Sequence, residues 1–284
     1  MKSIVLAATL SAALAAPGLA QASEAEPSTS ASPHSLTGNL GLFSSYRFRG
    51  IDQTFGKPAL QGGFDYAHAS GFYLGNWNSN VSSGAGFPDG NLEMDFYGGY
   101  KAAFEDFGLD VGAIYYYYPG SDASALSGGK SSGAVSNTEL YIGGSWKFLS
   151  LKYSYATDDY FSLRGVNSAG VATGKSTSGT QYLDLSANYD LGDGWGINGH
   201  VGTLNLKNVH NGDYTDWKLG VTKDINGWVV AASYVDTNAN GSCSKGQFYC
   251  FSNSLSDNNG TLSTGSHTED AGRGIAIVSV SRSF

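Results

Sequence analysis

Residues 139–155 read ELYIGGSWKFLSLKYSY, and they decide the fold. Leu140, Ile142, Gly144, Trp146 and Phe148 alternate with Glu139, Tyr141, Ser145 and Lys147. The alternation then resumes at once, with Leu149, Leu151, Tyr153 and Tyr155 set against Ser150, Lys152 and Ser154. A period of two places one set of side chains on each face of a strand, and an α-helix would not keep it. Two such runs with almost nothing between them predict an antiparallel pair joined by a tight turn.

The same pattern recurs outward in both directions. It predicts twelve strands, at 38–48, 59–67, 71–81, 92–103, 107–118, 138–148, 149–157, 180–191, 194–204, 214–224, 227–236 and 272–284. Their connections alternate strictly between short and long, with a turn such as Asn226-Gly227 at one end and a segment such as 237–271 at the other. Turns at one end and loops at the other describe an up-and-down transmembrane barrel, all-β, with short periplasmic turns and long outer loops. Greek-key sandwiches do not sort their loops in this way.

Composition agrees. Gly (40) and Tyr (18) are abundant, while Cys (2), Met (2) and Pro (6) are scarce. Lys2, the apolar run 4–16 and the small residues Ala20 and Ala22 predict a signal peptide over residues 1–22. The apolar run is too short to span a bilayer as a helix. Residues 23–37 lack periodicity and read as a disordered lead-in, so the barrel is expected over 38–284. A net charge of −8 leaves no basic footprint for nucleic acid. The expected setting is the outer membrane of a Gram-negative envelope, with membrane lipid, small hydrophilic solutes or ions, and the barrel-assembly machinery during biogenesis as partners.

With both termini on the turn side, aromatic residues collect into two girdles. Tyr46, Phe48, Tyr115, Tyr117, Tyr153, Tyr155, Trp217 and Tyr234 fall near the loop end, and Phe64, Tyr66, Tyr73, Trp146, Tyr189, Trp195 and Trp228 near the turn end. The inward faces then carry Arg47, Arg49, Asp65, Glu93, Asp95, Lys101, Asp110, Glu139, Lys147, Lys152, Asp184, Asp190, Asp216 and Lys218, with His200 of matching parity. These charges serve either as pore lining or as a plug of mutually paired side chains. Arg47 and Arg49, at i and i+2 on one strand face, suit an anionic solute or fixed carboxylates equally. Cys243 and Cys250 share the longest loop, and in an oxidising compartment they are expected to form a disulfide. Asp89, Asp158, Asp159 and Asp270 in the loops read as solvated acids, and Gly128-Gly129 lacks the setting of a phosphate loop. No cofactor, metal-ligand spacing or catalytic residue emerges. An outer-membrane hydrolase would need a His–Ser pair on the lipid face, and the sequence offers none there.

Six stretches carry a family resemblance: GNLGLFSSYRFRGIDQT from Gly38, PALQGGFDYAHASGFYLGNWNSNV from Pro58, DFYGGYKAAF from Asp95, LDVGAIYYYYPG from Leu109, ELYIGGSW from Glu139 and VSVSRSF from Val278. Together they resemble the TorF-type porins of proteobacteria over most of the mature chain. The resemblance implies an outer-membrane barrel and brings no established substrate. The closing segment also resembles an outer-membrane insertion signal ending in Phe284, from which Arg282 departs; at a membrane edge its head group would snorkel to water.

Overall fold

The computed structural model describes residues 32–124, 126, 132–258 and 261–284. The expected signal peptide, the first part of the lead-in and Gly128-Gly129 lie outside these residues. Twelve antiparallel strands close on themselves, each paired with its neighbours in sequence and the last with the first. They are β1 His34–Phe43, β2 Ala59–His68, β3 Phe72–Asn80, β4 Leu92–Phe104, β5 Phe107–Tyr118 and β6 Val135–Trp146. The second half comprises β7 Leu149–Ala156, β8 Gln181–Gly192, β9 Trp195–Asn205, β10 Tyr214–Ile225, β11 Trp228–Thr237 and β12 Ile275–Ser283. Asn39 pairs with Ser283 and Phe43 with Ser279 along the closing seam.

The two ends of β1 differ most from expectation. β1 begins at His34, inside the stretch read as a lead-in, and its first residues pair with the far end of β2. It also stops at Phe43 rather than running to residue 48. The turns are as tight as the sequence implies. In the Asn226-Gly227 connection both residues have positive φ (56° and 83°), the backbone of a type I′ hairpin turn, which asparagine and glycine tolerate best.

The outward face is apolar. Leu140, Ile142 and Leu151 are 53, 52 and 49 % exposed, values that make sense where hydrocarbon rather than water is the neighbour. Among the described residues no helix is long and apolar enough to cross a membrane. Asn76, Asn78 and Asn80 interrupt the outward face along β3, and their amides are satisfied locally. Asn76 Nδ2 donates to Asp95 O at 3.0 Å, Asn78 Nδ2 to Gly62 O at 3.3 Å, and Asn80 Oδ1 accepts Leu60 N at 2.8 Å. Side-chain amides that stitch neighbouring strands in this way leave few polar atoms for lipid to meet. Arg282 lies over the Trp228 ring at 5.3 Å, its guanidinium beside an aromatic at the turn end.

Three of the girdle aromatics point the other way. Tyr46 and Phe48 lie beyond the end of β1 and are buried inside, and Tyr73 is buried on the inward face of β3. The abundance of both Gly and Tyr has a packing cause on this inner surface. Tyr141 of β6 lies flat over Gly112 of β5, where a β-carbon would sit 2.6 Å from the phenol oxygen and 2.5 Å from Gly98 O. Gly112→Val is therefore expected to destabilise the barrel by about 1–3 kcal/mol through overpacking, read as a lower urea midpoint for loss of the heat-modifiable band; an unchanged midpoint would show that Tyr141 can move aside.

Candidate functional site in the barrel interior

Beyond Phe43 the chain leaves the wall and enters the lumen. Arg47 pairs with Asp52 and Phe48 with Ile51, a minimal hairpin turned by Arg49 and Gly50, whose φ values are 49° and 78°. All of residues 45–54 are buried. Local bonding makes the turn: Asp52 carboxylate oxygens accept Thr54 N at 3.0 Å and Gly56 N at 2.8 Å, an Asx-type arrangement.

This hairpin reaches much of the wall. Tyr46 packs against Trp77 of β3 and donates its hydroxyl to Glu93 of β4 at 3.2 Å. Phe48 meets Tyr116 of β5 edge-on, with ring centroids 5.6 Å apart. Gly50 abuts Asp216 of β10 and Thr237 of β11 so closely that a β-carbon there would clash with both. Arg49 grips Glu139 of β6 with two charge-assisted bonds of 2.9 and 2.6 Å, receives the Tyr160 hydroxyl oxygen as a third acceptor at 3.0 Å, and stacks 4.3 Å from the Tyr182 ring of β8. Burial works to discharge Arg49, but Glu139 and the surrounding tyrosines outweigh it and hold the guanidinium above its ordinary pKa. The Tyr160 phenol is pushed up to about 12, chiefly by burial. Arg47 donates to Asp52 at 3.2 Å and to Ala271 O at 2.7 Å, in the loop between β11 and β12.

That loop and its neighbours roof the hairpin. Tyr249 bonds its hydroxyl to Gly212 O at 2.5 Å and packs against Tyr214, and Phe87 stacks on Tyr118 with centroids 3.8 Å apart. Cys243 and Cys250 are bonded to each other in the same loop, Cα to Cα 4.9 Å. Buried side chains of the chain thus occupy much of the loop-side half of the interior.

The turn-side half is lined by half-buried charges and phenols. Tyr73 donates to Asp110 at 2.6 Å and bonds Tyr141, and Tyr97 donates to Asp65 at 2.5 Å. Lys152 Nζ sits 3.8 Å from the Tyr141 ring centre and Lys101 Nζ 5.1 Å from that of Tyr73. His200 stands between Asp184, 2.9 Å from Nδ1, and Asp216, 3.5 Å from Nε2. The strand register joins several of these charges. Lys101 pairs with Asp110, Asp110 with Gly143, Gly143 with Lys152, Lys152 with Asp184, Asp184 with Gly202, and Gly202 with Asp216. Because each strand is tilted in a closed barrel, this row winds up the inner wall from the turn end towards the hairpin.

The sequence-expected residues distribute as follows. Asp65, Glu93, Asp95, Lys101, Asp110, Glu139, Lys152, Asp184, His200, Asp216 and Lys218 face the interior. Arg47 and Arg49 are interior too, but on the inserted hairpin rather than on the wall of β1, because the chain turns at Ser44 and Ser45. Lys147 is not in the lumen. It occupies the β6–β7 turn with φ 54°, its side chain 53 % exposed and 3.9 Å from Asp106. Asp190 has inward parity but lies exposed at the rim, accepting Gly192 N at 2.8 Å. Asp52, Tyr160 and Tyr182 were not singled out from sequence. Asp52 could have been, since Arg47 to Asp52 spans a minimal hairpin with Arg-Gly at its tip.

A family model described as a bacterial protein of unknown function (Gcw_chp) matches residues 27–258. Among curated proteins none matches. The chain is similar to the solved NanC porin, at TM-score 0.50 and 11 % identity, covering 88 % of this chain and 99 % of that one. It is also similar to the KdgM porin, at TM-score 0.47 and 11 % identity over 87 % and 99 %, and to OmpT of Vibrio cholerae, at 0.42 and 9 % over 91 % and 99 %. At these identities the likeness concerns the fold, that of an outer-membrane porin, and the TorF-type name does not come with it.

Proposed function

We propose, for a chain that belongs to the Gcw_chp family of bacterial proteins of unknown function, a porin-like channel of the outer membrane. It admits small hydrophilic solutes and ions, with cations favoured, and its inserted hairpin limits conduction. The observation that carries this reading is the ionised row along the inner wall of a closed barrel whose outer face is apolar. Arg47 and Arg49 are committed to Asp52 and Glu139. Of the remaining interior charges, Lys101, Lys152 and Lys218 stand against Asp65, Asp110, Asp184 and Asp216, a small acidic excess that favours cations.

Single-channel recording of the full-length protein in planar bilayers tests it. The expected result is small, cation-preferring conductance, with a reversal potential of cation sign in a potassium chloride gradient. Burial of the whole hairpin favours a second reading, a non-conducting barrel with a structural, adhesive or partner-binding role. Silence from both the full-length protein and a variant lacking residues 45–54 would establish that reading instead.

A further inference from the structure

We infer that the loop-side half of the interior contains a site for a hard divalent cation of the calcium class, built by Glu93 and Asp95 of β4 with Asn137 of β6. Glu93 and Asp95 are two residues apart and share the inward face. Asp95 pairs with Tyr116, which pairs with Asn137, so a single strand separates the two contributors. All three are shut off from solvent, at 1, 0 and 0 % exposure.

Some of their oxygens are left over after the surrounding bonds are made. Glu93 accepts the hydroxyl of Tyr46 at Oε1 and also bonds the hydroxyl of Tyr118. Both carboxylate oxygens of Asp95 are unpartnered. Asn137 spends its amide nitrogen on Glu139 at 3.2 Å, and its Oδ1 has no partner. Asp95 lies within electrostatic reach of both Glu93 and Glu139, and Glu139 is already neutralised by Arg49. What remains is three buried acceptor oxygens, two on Asp95 and one on Asn137, beside the Glu93 carboxyl, and among the described residues no Lys or Arg pairs with either carboxyl.

A buried carboxylate without a counter-charge is strongly destabilising. Two such charges match one divalent ion. Carboxylate and amide oxygens are the donor set of calcium rather than of zinc or copper. Among the described residues no three His, Cys, Asp or Glu side chains gather as ligands for a metal ion, so the inferred site rests on two carboxyls and one amide. The inference does not need the barrel to conduct.

Terbium, a luminescent calcium substitute, tests it in the full chain refolded in detergent with the ion present. Tyr46, Tyr116 and Trp77 pack around the site and are the expected antennae. The expected result is saturable terbium emission under aromatic excitation, displaced by calcium and lost in Asp95→Asn and in Glu93→Gln variants that keep heat-modifiable migration. Absent emission, or emission undiminished in both variants, overturns the site and points to exposed loop acids. Should either variant fail to fold, calcium dependence of the wild-type thermal unfolding temperature decides, and no shift overturns it. Silent bilayers with both the full-length protein and the variant lacking residues 45–54, alongside intact terbium emission, would sink the channel reading and leave this one standing.

Discussion

Arg49→Ala is expected to raise single-channel conductance towards that of a variant lacking residues 45–54. The substitution leaves Glu139 buried and charged without its partner, a loss of about 3–5 kcal/mol for a desolvated pair. Because the hairpin is a separate two-stranded sheet outside the twelve-strand wall, that cost is expected to fall on docking. At about 1.4 kcal/mol per tenfold, the docked population drops at least a hundredfold relative to the undocked one. Hydrogen exchange of the amides in 45–54 should accelerate accordingly, while the wall strands keep their protection. Arg49→Met combined with Glu139→Leu should restore docking, since an apolar pair of similar volume replaces the ionic one at little or no cost. Unchanged conductance and exchange in Arg49→Ala would mean that Tyr46 and Phe48 hold the hairpin by packing alone.

The second large effect contrasts two neighbours on β7. Leu151 faces outward and Lys152 inward. Leu151→Arg is expected to cost about 2–4 kcal/mol, as a cation costs near the middle of a bilayer, measured by urea unfolding in lipid vesicles. Lys152→Leu should leave insertion intact and move the reversal potential further towards cation selectivity. If Leu151→Arg were silent, the outward surface of β7 would not be meeting hydrocarbon.

The wall of the barrel was legible because membrane and lumen impose opposite demands on alternate side chains. Leu140, Ile142 and Leu151 betray it one strand at a time, and the turn chemistry at Asn226-Gly227 sets the neighbours. The interior was legible only as a set of parities. Asp110, Lys152 and Asp184 could be assigned inward, but their joining into one ascending row depends on register between strands that the pattern within each strand does not contain. The hairpin was hidden for a different reason. Tyr46-Arg47-Phe48-Arg49 keeps the period of a strand, yet its partners Glu139, Asp216 and Ala271 lie far along the chain. The only nearby sign is the Arg-Gly pair at 49 and 50, where the backbone adopts positive φ. Lys147 misled by the opposite route, carrying inward parity one residue past the end of β6.

The seam between β1 and β12 sets the order of assembly. Asn39 cannot find Ser283 until the strands between β1 and β12 have been made, so the ring closes last and across the barrel's widest sequence separation, which makes closure slow. Until then two unsatisfied rims of backbone amides and carbonyls stand open to any other nascent chain. A stop codon ahead of Ile275 would leave that state permanent, yielding insoluble aggregates rather than an eleven-strand cylinder.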